Sequence, residues 1–318
     1  MKLHILLNPG ANRAAAGPAW PEVEASLRSA GHELRVLAVT TRSEAFACVG
    51  EAVGEGAETF VAAGGDGTLQ LLVDALMISP SMRDRTSDSP NPGKIRVGAI
   101  GMGTSNDFHK PLDTAPRIAG FPCRLKEEGA SPRDVIELSI TRPDGMHEIR
   151  CFLQAAHVGT IAETNQLLTQ RHGIFNNLYH FWYKPALLGA SAYTVFTYPG
   201  FDAEVKCGKE TWTGTFTGMS LIKQPYVAGD FKFATNRRPD DGLFDLALCC
   251  KVTPWRLIGL IDAFEKKGLS GHENVHFAEA SEVSVRFAQP QPIDYDGELI
   301  MAIEARWRVI PKALTILG

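Results

Sequence analysis

Apolar and polar positions divide this chain into two textures. Over the first hundred residues, short apolar runs alternate with amphipathic stretches. Leu3–Leu7, Leu34–Val39, Phe60–Ala63 and Arg96–Ile100 read as strands. Trp20, Val23 and Leu27 mark a helix that stops at Gly31, and Phe46, Val49 and Val53 mark a second, capped by Ser43. Leu69, Leu72, Val73 and Leu76, spaced i, i+3, i+4, i+7, mark a third. Such alternation predicts a doubly wound α/β domain with a mainly parallel sheet and helices on both faces. Ligands of such sheets sit at the carboxyl edge of the strands.

From about Arg133 the runs shorten and alternate: Ile136-Leu138-Ile140, Val205-Cys207, Phe244-Leu246-Leu248 and Val283-Val285-Phe287, many separated by Gly, Pro or Asp-Gly. This predicts antiparallel β structure, a sandwich or open barrel. Two helical segments interrupt it. One is the aromatic-rich Ile174–Phe196; the other is Trp255–Lys267, with Leu257, Leu260, Ile261 and Phe264 on one face. The domain boundary falls near residue 130. Ser79–Lys94, rich in Ser, Pro, Asp and Arg, breaks the first pattern and reads as a surface loop.

The 318 residues suffice for two domains. A net charge of −4 argues against a nucleic-acid partner while leaving room for a local basic patch against a membrane. No apolar run approaches the ~20 residues that span a bilayer. The N-terminal run ends at the turn Asn8-Pro9-Gly10 without a small-residue cleavage site, so it reads as the first strand. The six cysteines show neither Cys-x-x-Cys nor metal-ligand spacing, which points to a reducing, cytoplasmic setting.

Three loops at the predicted carboxyl edge carry the chemistry. Gly64-Gly65-Asp66-Gly67-Thr68 turns from strand to helix. Its glycines let a ligand approach the backbone, and the first-turn N–H groups favour an anion such as phosphate. An acid, Asp66, makes sense there if a metal accompanies the phosphate, so the stretch suggests ATP with Mg2+. Gly101-Met102-Gly103-Thr104-Ser105-Asn106-Asp107-Phe108 repeats the mixture one βα unit later, and Asn8-Pro9-Gly10 closes strand one. Singly, each also reads as an ordinary capped turn. Together at one edge they favour a nucleotide pocket. The chain has no Gly-x-x-x-x-Gly-Lys-[Ser/Thr], so backbone amides, a metal and a cation such as Lys110 or Arg13 must neutralise the phosphates.

Asn8-Pro9, the G-G-D-G-T at 64–68, the G-T-S-N-D-F at 103–108 and Asp296-Gly297-Glu298 resemble, in that order, the catalytic domain of the diacylglycerol and sphingosine kinase family. The compact bacterial lipid kinases are the nearest type, and the resemblance runs from residue 3 to about 317. The closing Val309–Leu314 is similar to the family's last strand and turn. This implies domains of 1–130 and 131–303, with 304–318 packing back on the first. It also implies an ATP-dependent kinase that moves the γ-phosphoryl group to a diacylglycerol-like or sphingoid-like hydroxyl. Its active site would lie in the interdomain cleft, and its lipid would be met by peripheral contact with a membrane. By the same resemblance Asn8, Thr40, Gly64, Gly65, Asp66, Gly67, Thr68, Gly103, Thr104, Asn106 and Asp107 bind the nucleotide. Asp66 and Asp107 would hold Mg2+ or its waters, with Asp66 counted among the catalytic acids. Whether Thr40 or Thr41 is the match stays open.

An acceptor alcohol needs a carboxylate for its proton. Asp296 is the expected base, with Glu298 as rival or orienter, although Asp-Gly between apolar runs is also the strongest short hairpin signal. Arg238–Asp245 resembles the family's acidic turn that binds a second, structural Mg2+ or Ca2+. The Asp241 carboxylate and the carbonyls of Arg238 and Leu243 would be its ligands, and an Asp-Gly hairpin with its acids in water is the other reading. Phe175, Tyr179, Phe181, Trp182 and Tyr183 make either a lipid-facing lip or interdomain packing. Gly101-Met102 stands where the family commonly has a proline, and His109-Lys110 where a small residue and arginine follow. Those departures bear on substrate more than on fold. A NAD kinase, which also places G-G-D-G ahead of a β-rich domain, and a non-catalytic binding protein on the same scaffold are the alternatives. A homodimer stays open.

Overall fold

A computed structural model describes residues 1–79, 94–110, 116–169, 182–227 and 231–318. Strands β1 (Lys2–Leu7), β2 (Glu33–Ala38), β3 (Thr59–Gly64) and β4 (Arg96–Gly101) lie parallel in the order β2-β1-β3-β4. Successive side chains of a strand point to opposite faces. Leu3, Ile5 and Leu7 of β1 therefore pack with Trp20, Val23 and Leu27 of helix α2 (Ala16–Ser29), which follows the short α1 (Ala11–Ala14). Leu6 faces the other side, where α3 (Arg42–Gly54) and α4 (Asp66–Ile78) pack. Leu69, Leu72, Val73 and Leu76 of α4 are all buried, as their spacing predicts. The start of α3 differs from the Ser43 reading. Thr41 is its N-cap, accepting from Glu44 N while the Glu44 carboxylate accepts from Thr41 N. That reciprocal box satisfies two end amides at once, which a lone serine cannot do.

After the hairpin β5–β6 (Arg117–Ile118, Phe121–Arg124) the pairing becomes antiparallel. The strands are β7 (Ser131–Thr141), β8 (His147–Phe152), β9 (Ala155–Gly159), β10 (Phe201–Cys207) and β11 (Glu210–Ile222). Then come the small β12–β13 pair (Tyr226–Val227, Phe231–Lys232), β14 (Phe244–Cys250), β15 (Val275–Ala280), β16 (Glu282–Tyr295) and β17 (Glu298–Ile316). Helices α5 (Thr160–Thr169), α6 (Tyr183–Thr197) and α7 (Pro254–Lys266) interrupt them. Inward residues such as Phe152, Phe216, Phe244 and Trp307 fill a second core.

The 19-residue β17 joins the two textures. It runs antiparallel to β16 and β7, and then Thr315 and Ile316 pair parallel with Arg96 and Val97 of β4. Leu317 N also donates to Val97 O (2.9 Å), so the last residues are hydrogen-bonded to the amino-terminal sheet. All six cysteines are free. Among the described residues no helix is long and apolar enough to cross a membrane. Most of the Ser79–Lys94 stretch, and Phe175, Tyr179 and Phe181, lie outside the described residues.

Candidate active site

The register of the parallel sheet brings the three predicted loops to one edge. Leu7 pairs with Ala63 and Gly64 with Gly101, so β1, β3 and β4 end level with one another. Asn8 closes its own turn, its Oδ1 accepting from Gly10 N (3.0 Å) while its N donates to Ala63 O (3.1 Å). The other two loops meet through glycine. A Cβ on Gly103 would stand 2.4 Å from Gly65 Cα, closer than any side chain can come. Asp66 fastens the same two loops. Its Oδ2 accepts from Asp107 N and its Oδ1 from Phe108 N, both at 3.0 Å, at the start of a single 3-10 turn, Asp107–His109. Burial raises the proton affinity of Asp66, and these amides partly oppose that.

Asn106, left-handed at φ 50°, uses its amide inside its own loop. It accepts from Gly103 N (3.0 Å) and donates to the carbonyls of Gly101 and Gly103 (3.1 Å each). Thr68 packs under Gly64, where a Cβ would meet its Oγ1 at 2.2 Å. Thr104 Oγ1 lies 3.4 Å from Asn12 Oδ1 on the loop rim, and the Asp107 carboxylate pairs with Lys110 Nζ at 2.5 Å. Thr40 follows β2 at the same edge, where its N and Oγ1 both donate to Glu44 Oε2 (2.8 and 3.1 Å) within the α3 cap.

Gly65 is the N-cap of α4 and brings no side-chain cap; Thr68 N donates to Gly65 O (2.9 Å), which leaves the N–H groups of Asp66 and Gly67 to an external acceptor. That donor set fits a phosphate. An ideal Cβ on Gly67 would stand 3.2 Å from Glu298 Oε1, which places this carboxylate against the loop.

Glu298 comes from the β16–β17 hairpin. Tyr295 pairs with Glu298 across Asp296 (φ 47°) and Gly297 (φ 89°), the twice left-handed turn that Asp-Gly favours. The stretch is thus a hairpin turn and also brings acids beside the glycine loops. Asp296 Oδ2 accepts from Leu153 N (2.9 Å), and its Oδ1 accepts from the N–H groups of Gln154 and Ala155 (3.0 Å each). Burial pushes this carboxyl up to about 6 against the pull of those amides, and the Asp66 charge adds to the rise. Asp294, fully enclosed, is pushed up to about 7 by burial. It accepts from Asn165 Nδ2 (2.8 Å) and Gly297 N (3.0 Å). The Glu298 carboxylate makes no hydrogen bond among the described residues. It reaches water from a concave wall of protein, whose desolvation raises its proton affinity while the Arg42 charge lowers it.

Arg42, Asp74, Asn165, Asp294 and the amides of 153–155 are parts of this arrangement that sequence reasoning missed. Arg42 pairs with the fully buried Asp74, which also accepts from Cys151 N (2.9 Å), and its guanidinium lies 4.5 Å from the Phe46 ring centroid. One signal was available: Asp74 stands inside the apolar run Leu71-Leu72-Val73-Asp74-Ala75-Leu76, where an acid needs a partner. A separate surface hollow at the opposite edge of the sheet, lined by Met1, Lys2, His4, Glu55, Glu58 and Arg96, holds none of the predicted site residues.

The oxygens expected to hold a structural metal are met by a side chain of the protein itself. Asp241 does meet a cation, but that cation is Lys223 Nζ at 2.6 Å, which also donates to Asp134 Oδ2 (2.6 Å) and Leu243 O (2.7 Å). Arg238 contributes its N–H to Asp241 Oδ2 (3.1 Å). The ammonium lies between these oxygens.

Comparison with known proteins agrees with the geometry. The model of the diacylglycerol kinase catalytic domain matches residues 2–138, and that of the YegS C-terminal NAD kinase beta sandwich-like domain matches residues 186–318. The chain carries a diacylglycerol kinase catalytic domain followed by a YegS-type C-terminal domain. One similar protein is the "Probable lipid kinase YegS-like" of Pseudomonas aeruginosa, 27% identical over 305 residues, covering 92% of this chain and 87% of that one. The diacylglycerol kinase of Staphylococcus carnosus is 24% identical over 297 residues, covering 93% and 88%. The crystal structure of a diacylglycerol kinase from Bacillus anthracis str. Sterne superposes with a TM-score of 0.66 at 16% identity, over 99% of this chain and 96% of that one. With this catalytic domain and these relatives, the chain is an ATP-dependent kinase.

Proposed function

We propose that this kinase transfers the γ-phosphoryl group of ATP to the hydroxyl of a lipid, diacylglycerol-like or sphingoid-like. Glu298 carries the reading: a carboxylate without a hydrogen-bond partner among the described residues, set against Gly67 in a phosphate-type loop. A carboxylate there can take the proton of an attacking hydroxyl. Asp296, tied to three backbone amides, anchors the hairpin instead, so the base role expected of it passes to Glu298.

ATP with Mg2+, when bound, supplies the phosphoryl group and the cation that offsets its charge. The uncapped amides of α4 and the Gly64–Thr68 backbone would hold the phosphates. Asp66 and Asp107 would hold the metal or its waters, since each oxygen of Asp66 accepts one amide and keeps a further lone pair. Arg42, fixed by Asp74, brings positive charge to the Glu298 side of the site.

The lipid would be met where Leu188 and Phe196 of α6 and Trp255 and Ile258 of α7 stand exposed, with the Phe196 ring edge-on to Trp255 (centroids 5.2 Å). Exposed aromatic and aliphatic side chains of this kind settle at a bilayer interface, so the enzyme acts as a peripheral protein on the cytoplasmic leaflet. The test is incubation of purified protein and radiolabelled ATP with a total lipid extract and, in parallel, with NAD. A lipid phosphate identified by mass and lost in Glu298→Gln supports the reading. Phosphorylated NAD, or ATP binding with no product in either reaction, overturns it in favour of a NAD kinase or a non-catalytic protein.

A further inference from the structure

Lys223 lies at the end of β11 and is 1% exposed, among the largest fully buried side chains of the protein. An ammonium in such a place is costly unless every proton finds an acceptor and its charge is offset. Both conditions are met. Its three protons meet three oxygens, Asp134 Oδ2, Asp241 Oδ1 and Leu243 O, at 2.6 to 2.7 Å. The acceptors are fixed in turn. Asp134 accepts from Gly242 N (2.7 Å) and Lys312 N (2.8 Å), and Asp241 accepts from Leu243 N and Arg238 N (3.1 Å each). Arg237, 3.5 Å from Asp241 and 3.1 Å from Asp245, supplies a second positive charge to Asp241.

A divalent ion at this place would need oxygens at about 2.0–2.6 Å around a single centre. The oxygens present already surround a nitrogen and stand at hydrogen-bond distance from it. A metal ion could enter only by expelling the lysine.

We infer that Lys223 is a built-in cation that replaces a structural divalent metal at the 238–243 turn, so that the fold of this chain needs no metal there. The lysine does what an ion would do. It ties β7, the 238–243 turn and the end of β11 into one unit. That unit reaches the active site, because Lys223 N donates to Gln154 O (2.8 Å) and Gln154 N donates to Asp296. The inference stands apart from the lipid-kinase reading, and its test uses no nucleotide and no turnover.

Nucleotide-free protein is dialysed against EDTA, then assayed for bound metal by mass spectrometry and for Tm with and without millimolar Ca2+ or Mg2+. The wild type is expected to carry no stoichiometric metal and to shift by no more than about 1 °C. Lys223→Ala leaves the buried Asp134 without a cation and Asp241 with Arg237 alone, and is expected to lose about 5–15 °C, part of it regained with Ca2+ or Mg2+. Lys223→Met, which keeps the apolar stem, is measured beside it and should behave alike. A wild-type chain that holds one divalent ion, loses stability on chelation and no longer responds once Asp241→Ala is made would overturn the inference. That arm does not depend on either lysine variant folding.

Discussion

Glu298 Oε1 lies 3.2 Å from the point where a Cβ on Gly67 would stand. The backbone at Gly67 is not left-handed, so alanine is allowed there and favours the helix by up to about 1 kcal/mol. Its methyl group, however, presses on the carboxylate. Gly67→Ala should keep or slightly raise Tm while kcat/KM falls by about ten- to a hundredfold. Glu298→Gln should lose about 10²–10⁴-fold in rate at unchanged Tm. Full turnover in both would remove Glu298 from the chemistry.

Asp296→Asn should behave in the opposite way. The left-handed backbone at φ 47° accepts asparagine, but one carboxylate oxygen becomes an NH2 group aimed at backbone N–H donors. Urea denaturation should show a loss of about 2 kcal/mol. Any fall in activity should follow that loss rather than exceed it as in Glu298→Gln. A stable but inactive Asp296→Asn protein would return the base role to Asp296.

Asp294 makes stability depend on pH. Its folded pKa is raised to about 7 from the ordinary 3.8, so between those values the folded chain holds a proton that the unfolded chain has released. The resulting stabilisation is full below about pH 4 and is lost as pH rises through 7. His109 and His157, both lowered to about 4 by burial, work in the opposite sense, since they resist protonation only when folded. The comparison of wild type with Asp294→Asn isolates the aspartate. The Tm difference in favour of wild type should shrink as pH is raised from 4 to 7.5, and a constant difference would contradict the burial assigned to Asp294.

Gly103→Ala should damage the junction between the two loops. Its Cβ would fall 2.4 Å from Gly65 Cα, a backbone atom that cannot step aside, so the two loops must part. Overpacking of this kind costs about 1–3 kcal/mol, and KM for ATP should rise about tenfold or more. Gly65→Ala, whose Cβ would meet Gly103 Cα at 3.1 Å, should show the same defect more weakly. Isothermal titration with a non-hydrolysable ATP analogue measures both.

The glycine loops were legible because each is contiguous: a strand, a bend and a helix start are written within ten residues, and the parallel sheet then aligns their ends. The division of labour between Asp296 and Glu298 was not. Adjacent acids on a hairpin look alike until the 153–155 amides, 141 to 143 positions away, occupy one and leave the other. Lys223 escaped for the same reason, since its acceptors come from Asp134, Asp241 and Leu243. The acidic turn itself was visible, and a sequence motif can mark where a cation belongs without saying whether the cation is an ion or a side chain. Thr40 and Asn106 are expected at the nucleotide by family resemblance alone. In the structure both make hydrogen bonds within their own turns.

The 19 residues of β17 are laced to β16 along one edge and β7 along the other, and their far end is zipped to β4. The ladder to β7 is interrupted between Ile310 and Leu314, around the left-handed Lys312, so the strand passes from one half to the other through a kink rather than as a straight rod. A relative swing of the halves would be taken up at that kink, and spectroscopic rulers placed on the two halves, read with and without ATP, measure its extent.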